Sequence, residues 1–226
     1  MSDEFLIIGS KPYKELQLNN LFDSFPRNIR CNFSLPNNNN GSICDQLGLC
    51  NHLYLNLIRK NISKEKFKEL YQEYREDYID YFYENFDKYR KSYKNIFHAE
   101  FKTRKHNKFL RNINCPFKFT KIPRTGYTLI MDQLIAKNFI YVSKFSIKEE
   151  TRVSHYVKES FYESKYHEAQ DEIKILRWLH KNEFVDATLC LLEDNVIPTL
   201  KLNGLIPSTN ITKRLNSIYG GYKVIN

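Results

Sequence analysis

Long apolar stretches are missing from this sequence, and their absence limits where the protein is expected to reside. No apolar run approaches about 18 residues, the length that spans a bilayer as a helix. The first residues show no basic stretch followed by an apolar one, which is the pattern of a secretory signal. We therefore expect a cytoplasmic protein. Its basic faces would still allow peripheral contact with the inner membrane, since each Lys or Arg near anionic lipid contributes about 1 kcal/mol.

Cysteine occurs in a pattern that argues against two common uses. The five cysteines are odd in number, irregularly spaced and without a C-x-x-C pair: Cys31, Cys44, Cys50, Cys115 and Cys190. This pattern argues against a disulfide framework and a zinc site. No cluster of His, Asp or Glu has metal-ligand spacing either. The sequence therefore predicts neither a metal site nor a cofactor.

Strand and helix signals alternate along the chain. Strands are predicted over residues 5–8, 28–33, 95–101, 117–120, 139–143 and 184–192. Helices are predicted over residues 13–21, 47–58 and 128–137, from His167 onwards and from Ser208 onwards, and residues 63–94 form a long charged segment that begins at the N-cap candidate Ser63. This alternation predicts the α/β class: a single Rossmann-like nucleotide-binding domain over residues 1–226, with a mainly parallel sheet flanked by helices. Residues 146–166 are polar and lack a clear period, so they are predicted to form a small lid.

A formal charge of +9 and a pI near 9.2 suggest an anionic partner. Charge alone does not choose between nucleic acid, an acidic membrane surface and a substrate that carries a nucleotide. The basic run over residues 102–108 fits phosphate or lipid, and it fits a solvated loop better.

Three sites along the chain contain residues suited to ligand binding or catalysis. Glycine is scarce, with seven in the chain and no G-x-G-x-x-G, but Gly9 follows an apolar run in the strand–turn–helix order with which nucleotide-binding domains begin. Thr125 and Gly126 lie just ahead of an apolar helix, where backbone N–H groups suit phosphate or a sugar carboxylate, although an N-cap with a turn glycine looks the same. His167 begins an amphipathic helix, and its imidazole suits a general base near neutral pH. Its alternative is a helix-start residue with no partner.

Two motifs in the first part of the chain are similar to those of the bacterial sialyltransferases that decorate lipooligosaccharide. Gly9-Ser10-Lys11-Pro12 resembles the turn after the first strand of that family. Arg30-Cys31-Asn32 matches its R-C-N segment at nearly the expected distance.

Two further motifs follow in the family's order. Arg124-Thr125-Gly126-Tyr127, with an apolar helix and a strand behind it, resembles the S/T-G motif at the donor nucleotide. His167 and Glu172 match the H-x4-E/D pattern. The resemblance covers about residues 5–192 and extends more faintly to animal sialyltransferases.

The resemblance implies a glycosyltransferase that moves sialic acid from CMP-sialic acid to a sugar hydroxyl of a lipooligosaccharide or capsule glycan, with inversion and without a metal. His167 would be the catalytic base. The donor nucleotide would be bound by residues of the first three motifs: Gly9, Ser10, Lys11, Asn32, Arg124, Thr125 and Gly126. The leaving phosphate would be stabilised by Lys148, Tyr156 and Tyr162 of the lid. The implied partners are the nucleotide-sugar donor, a glycan or glycolipid acceptor, the inner membrane surface and further copies of the chain, but not nucleic acid.

The sequence departs from the family in ways that leave alternatives open. The family's G-N-G-P-S turn reads G-S-K-P-Y here, so Ser10 replaces an asparagine contact and Lys11 enters beside the phosphates. Lys148 takes the place of the first lid tyrosine and would neutralise the phosphate by charge. Another CMP-activated acidic sugar such as Kdo would suit the same scaffold, and so would a member that has lost activity. A different class is a basic protein that binds nucleic acid or anionic lipid through residues 102–108.

Overall fold

The computed structural model describes residues 4–11, 13–50, 53, 55–56, 62–72, 76–89, 93–95, 99–147 and 167–226. Its strands are β1 (Phe5–Ile8), β2 (Arg27–Cys31), β3 (Gln46–Leu49), β4 (Tyr93–Asn95), β5 (Ile140–Ser143), β6 (Val185–Asp186), β7 (Leu192–Glu193), β8 (Thr199–Lys201) and β9 (Lys223–Ile225). Its longer helices are α1 (Asn19–Asp23), α2 (Lys64–Leu70), α3 (Glu76–Tyr89), α4 (Ala99–Asn112), α5 (Thr125–Ile135), α6 (Ala169–Lys181) and α7 (Thr209–Tyr219).

The centre of the molecule is a six-stranded sheet in the order β4-β3-β2-β1-β5-β6. Every neighbouring pair of strands is parallel. Leu6, Ile7 and Ile8 of β1 are fully buried, as expected for a parallel strand with helices on both sides of its sheet. The predicted α/β class with a parallel sheet flanked by helices is therefore confirmed.

A second, three-stranded sheet was not predicted. Its order is β7-β8-β9, with β7 and β8 antiparallel and β8 and β9 parallel. The strand predicted over residues 184–192 is correspondingly wrong as one element. It consists of β6, a 3-10 turn over Thr188–Leu191 and β7.

The helix predicted over residues 13–21 is wrong, because only α1 is helical in this part of the chain. The carboxylate of Asp194 accepts hydrogen bonds from the backbone N–H groups of residues 14–16 at 2.7, 2.9 and 3.0 Å. Tyr13 donates its hydroxyl to the carbonyl of Leu192 at 2.8 Å. Contacts with the distant β7 region thus satisfy the backbone N–H groups of residues 14–16 and hold this part of the chain in a non-helical course.

The helix predicted over residues 47–58 is wrong at its start, where residues 47–49 belong to β3. Leu47 and Leu49 are completely buried in the sheet. A short apolar run has the same pattern in a buried strand and in a buried helix, so periodicity could not separate them.

The predicted strand over residues 95–101 and the loop over residues 102–108 are also wrong, since α4 begins at Ala99 and includes the whole basic run. Residues 117–120 form no strand. The side chain of Asn107 on α4 bonds both the N–H and the carbonyl of Phe119, each at 2.9 Å. This bidentate contact replaces the pairing of a strand.

Two predicted helix starts are confirmed by their capping bonds. The Ser63 hydroxyl accepts from the N–H of Lys66, and the Ser208 hydroxyl accepts from the N–H of Ile211. Substituting such a cap by Ala typically costs about 1 kcal/mol.

Candidate functional site

The loops after β1 and β5 meet at the carboxyl edge of the sheet. From β1 the chain continues to β2, β3 and β4 on one side, while β5 lies on the other, so the order of the strands reverses between β1 and β5. The N–H of Gly9 donates to the carbonyl of Ser143 at 2.8 Å, and the N–H of Lys11 donates to the carbonyl of Lys144 at 3.1 Å. In open α/β sheets this point of reversal is where ligands bind.

Phe145, which follows β5, packs against two of the predicted donor-site glycines. A Cβ atom on Gly9 would lie 2.6 Å from the carbonyl oxygen of Lys144 and 3.0 Å from the Phe145 ring. A Cβ atom on Gly126 would lie 2.4 Å from the same ring and 3.5 Å from the sulfur of Cys31. The absence of side chains at Gly9 and Gly126 thus lets the first turn, the end of β2, the end of β5 and the start of α5 come together.

Ser10 and Lys11 lie half-buried in the loop after β1. The ammonium of Lys11 lies 5.4 Å from the centre of the Tyr13 ring, within the range of a cation–π contact. Both residues lie at the carboxyl edge of the sheet, where the sequence predicted a donor site.

Asn32 follows β2 directly at the same edge, in a left-handed conformation with φ of 47°. Its N–H donates to the carbonyl of Gly48 at 2.8 Å, and its side-chain Oδ1 accepts from the N–H of Cys50 at 2.8 Å. Asparagine tolerates this conformation better than most residues do. The side-chain Oδ1 and the backbone N–H of Asn32 therefore join the ends of β2 and β3.

Arg30 of the same motif is completely buried and holds the asparagine-rich loop that follows β2. Its guanidinium donates to the carbonyls of Ile43 at 2.8 Å and Asn40 at 2.8 Å, and to the Oδ1 of Asn40 at 3.0 Å. A buried cation needs hydrogen-bond partners to offset the loss of water. Arg30 thus fixes the loop over residues 34–43 beside the carboxyl edge.

Arg124 and Glu172 connect the start of α5 to α6. The N–H of Arg124 donates to Oε1 of Glu172 at 2.6 Å, and its Nε donates to Oε2 at 2.5 Å. Glu172 is completely buried, and burial raises its pKa while the charge of Arg124 opposes that shift. Sequence reasoning matched Glu172 to a motif but gave it no contact. The structure shows that it fixes both the backbone and the side chain of Arg124, next to the half-buried Thr125.

His167 stands two residues ahead of α6 and contacts the chain before α5. Its Nδ1 lies 2.6 Å from the carbonyl oxygen of Ile122. A carbonyl can only accept, so in the neutral ring Nδ1 carries the hydrogen and Nε2 is the basic nitrogen. Burial lowers the pKa of His167, the positive charges of Arg124 and Lys121 lower it further, and the bond to Ile122 opposes the shift. The imidazole is thus held in the neutral form that a general base requires.

A cleft of about 380 Å³ opens at the carboxyl edge. It is lined by Tyr13, Leu18, residues 37–40, Tyr81 and Lys144. Sequence reasoning missed Lys144, and one available signal was its position directly after the buried strand β5. Tyr81 of α3 and the asparagine loop carried no signal, because only the fold brings them to this edge.

No family model matches the sequence, and no curated protein matches it. Among solved structures, the chain is similar to the sialyltransferase CstII from Campylobacter jejuni in complex with cytidine-5'-monophosphate, with 17% identity, 83% of this chain and 80% of that chain covered, and a TM-score of 0.43. It is also similar to the same enzyme in complex with CMP-3FNeuAc, with 17% identity and a TM-score of 0.44. That match covers 96% of this chain and 99% of the enzyme's chain. A mammalian sialyltransferase in complex with Gal-beta-1-3GalNAc-ortho-nitrophenol is similar with 13% identity, 81% and 68% covered, and a TM-score of 0.44.

Three predicted leaving-group residues, Lys148, Tyr156 and Tyr162, lie outside the described residues, as does most of the predicted lid. Of that segment, Ser146 and Ile147 are described, and the carbonyl of Ile147 accepts from Arg177 of α6 at 2.9 Å. The roles of the three leaving-group residues stay predictions.

The described residues contain neither a metal-binding cluster nor a membrane-spanning helix. Within the described part of the chain, no group of three or more His, Cys, Asp and Glu side chains is arranged to hold a metal ion. Across the same residues, no helix combines the length and the apolar character needed to cross a membrane.

Proposed function

We propose that this protein is a glycosyltransferase that moves sialic acid from CMP-sialic acid to a sugar hydroxyl, with His167 as general base. The observation that carries the proposal is the bond between Nδ1 of His167 and the carbonyl of Ile122, which makes Nε2 the basic nitrogen of the neutral ring. Burial lowers the pKa of His167 and so favours this neutral form. The same loop continues into Arg124 and the start of α5. A proton acceptor and a helix N-terminus that favours anions are thereby joined by contacts within one short segment.

In this mechanism Nε2 of His167 takes the proton from the acceptor hydroxyl as its oxygen attacks the anomeric carbon of the donor. The bond from that carbon to the phosphate oxygen breaks, and both of its electrons leave with CMP. Attack from the side opposite the leaving group inverts the anomeric centre. General-base catalysis of this kind contributes about 10²–10⁴-fold to the rate.

The negative charge that develops on CMP must be stabilised as the bond breaks. Arg124 and the N–H groups that begin α5 lie at this edge, and the loop after β1 adds Lys11. In the proposal Gly9, Ser10, Asn32, Thr125 and Gly126 complete the donor site, and Lys148, Tyr156 and Tyr162 stabilise the phosphate. Lys11, Arg124 and Lys148 would neutralise the phosphate as a metal ion does in other transferases, so we propose a reaction without metal or cofactor.

The acceptor in this proposal is a lipooligosaccharide or capsule glycan, reached from the inner membrane surface by an oligomer of this chain. Helix α4 gives support for the membrane contact, because Arg104, Lys105 and Lys108 are exposed on it. Anionic lipid attracts such cations over about one Debye length.

The first test is titration calorimetry with CMP and CDP, with UMP and AMP as controls, followed by turnover of CMP-sialic acid and CMP-Kdo. His167→Ala should bind CMP like the wild type and transfer about 10²–10⁴-fold more slowly. Lys174→Ala, at an exposed position on α6, is the matched control and should keep wild-type activity. Wild-type turnover by His167→Ala would exclude its role as general base. Transfer from CMP-Kdo and not from CMP-sialic acid would mean that CMP-Kdo is the donor.

A basic binding protein is the second candidate, favoured by the same exposed cations on α4. Release of counterions would make its affinity for oligonucleotides fall steeply with salt. Binding to oligonucleotides that does not change with salt concentration would remove this candidate.

A further inference from the structure

The cleft at the carboxyl edge contains a cation that the proposed reaction does not use. Lys144 lines this cleft, and only 6% of the residue is exposed. Within the described part of the chain, its ammonium makes no hydrogen bond and no ion pair. Its nearest defined contact is the Tyr13 ring, whose centre lies 5.9 Å away. Lysine is almost never this buried without a paired charge, so the cleft contains an amine that lacks the anionic partner its ammonium form would need.

The surroundings of Lys144 make its charge costly in the absence of a ligand. The pKa of Lys144 is lowered to about 7, mainly by burial and also by the positive charge of Arg30 on β2, while Asp194 after β7 opposes the shift. The carboxylate of Asp194 is already bound to the backbone of residues 14–16. Tyr13 after β1 and Tyr81 on α3 line the same cleft, and the ammonium groups of both Lys11 and Lys144 lie over the Tyr13 ring. An anion in the cleft would offset this excess of positive charge.

The backbone of Lys144 is fixed independently of its charge. Its carbonyl accepts from the N–H of Lys11 and touches Gly9, and its φ is 63°, in the left-handed region. A long residue in this conformation is costly unless the surrounding contacts determine it. These contacts direct the Lys144 side chain into the cleft with the asparagine loop, which Arg30 holds from the other side.

We propose that this cleft is an oxyanion subsite in which Lys144 binds a phosphate or carboxylate group, with N–H donors from the side-chain amides of residues 37–39. The backbone N–H groups of Asn37, Asn39 and Asn40 already donate to acceptors within the asparagine loop. The cleft's volume of about 380 Å³ is within the range of small-molecule sites. Identifying this oxyanion with the phosphate or the carboxylate of a CMP-sugar donor rests on the proposed function. The anion site itself does not.

The direct test is the titration of Lys144 followed by NMR of lysine side chains labelled with ¹³C, in chloride and in sulfate at equal ionic strength. Sulfate stays doubly charged over the whole range, so any change belongs to the protein. Bound sulfate should move the Lys144 titration to higher pH, and the Lys144→Met variant identifies its resonance. Sulfate affinity should fall by about tenfold per pH unit above the pKa, because only the ammonium form binds. An unmoved Lys144 titration would overturn the site.

Lys137→Met is the matched control, since Lys137 has the same φ of 63° but is exposed at the end of α5. Both variants lose a lysine in the left-handed conformation, so a difference between them reports the cleft and not the backbone. The Lys137 resonance should not respond to sulfate. An equal response of the two lysines would mean general screening and would also overturn the site.

Calorimetry then identifies the source of the oxyanion. If Lys144→Met weakens the binding of CMP by about tenfold or more and leaves the binding of cytidine unchanged, the subsite takes the phosphate. If Lys144→Met instead weakens the binding of free sialic acid, the subsite takes the carboxylate. A response to sulfate with no binding of CMP or sialic acid would leave the anion site standing and remove the proposed transferase. Normal transfer by Lys144→Met, together with a Lys144 titration that sulfate does not move, would overturn the anion site and leave the proposed transferase standing.

Discussion

Helix α5 is joined to a different neighbour at each of its two ends. At its start, Glu172 of α6 bonds the backbone N–H and the guanidinium of Arg124. Further along, Asp132 of α5 lies 2.6 Å from the ammonium of Lys102 and 3.1 Å from Nε2 of His106, both on α4. Each contact joins a carboxylate to a neighbouring helix. Only the first includes a backbone group, and only the first lies at the carboxyl edge of the sheet.

The two contacts also differ in burial. Glu172 is completely buried, whereas the side chains of Asp132 and Lys102 are 26% and 30% exposed. The Arg124 side chain is itself 23% exposed, so the two pairs differ mainly in the burial of their carboxylates. Removing Glu172 takes away the acceptor of both a backbone N–H and a guanidinium N–H. The comparison teaches that the start of α5 is held rigidly where the proposed chemistry occurs, and that the later contact only packs the helix.

The largest effect is expected from removing the two carboxylates in turn. Glu172→Ala should lower the free energy of unfolding by about 3–5 kcal/mol, because two hydrogen bonds to a carboxylate are lost, each worth about 1.5–3 kcal/mol. Asp132→Ala should cost about 1–3 kcal/mol, mostly by leaving the buried His106 ring without its partner. Denaturant unfolding measures both losses. Donor turnover should fall in Glu172→Ala and persist in Asp132→Ala, and equal losses of turnover would remove the distinction between the two ends.

A smaller effect is expected from filling the space beside Gly126. Gly126→Ala places a methyl group against the Phe145 ring, and overpacking of this kind costs about 1–3 kcal/mol. Phe145→Leu should relieve part of that cost, so the double variant should be more stable than the sum of the single changes predicts. Strict additivity in thermal or denaturant unfolding would show that Phe145 does not hold the start of α5.

The smallest effect concerns the charge beside His167. The general base must be neutral, so transfer should fall as the pH drops below the lowered pKa of His167, and the acid limb should lie below pH 6.5. Lys121→Gln removes one of the charges that lower this pKa, so the acid limb should move to higher pH. The pH dependence of kcat/KM measures both, and Lys137→Gln provides a distant control. An acid limb that is the same in all three proteins would contradict the role of Lys121.

Sequence patterns predicted the elements whose signals are local. β1, β5 and the serine caps of α2 and α7 were placed within a few residues, because an apolar run and a capping hydroxyl act on their own neighbours. The stretches that failed are those where distant groups decide, such as residues 13–18, whose backbone is bound by Asp194. The same limit applied to the candidate site: His167 was found from its position ahead of a helix, and its bond to Ile122 was not.

By itself the sequence determined the alternation of strands and helices, and with it a parallel sheet whose loops gather at one edge. It also placed glycine at Gly9 and Gly126, where no other residue allows the backbone to approach Phe145 so closely. Only the tertiary structure decided that Arg30 is buried under the asparagine loop, that Glu172 holds Arg124 and that Lys144 lies in a cleft. Each of these depends on side chains far apart in the chain, and the burial that sets their charges exists only after the chain has folded.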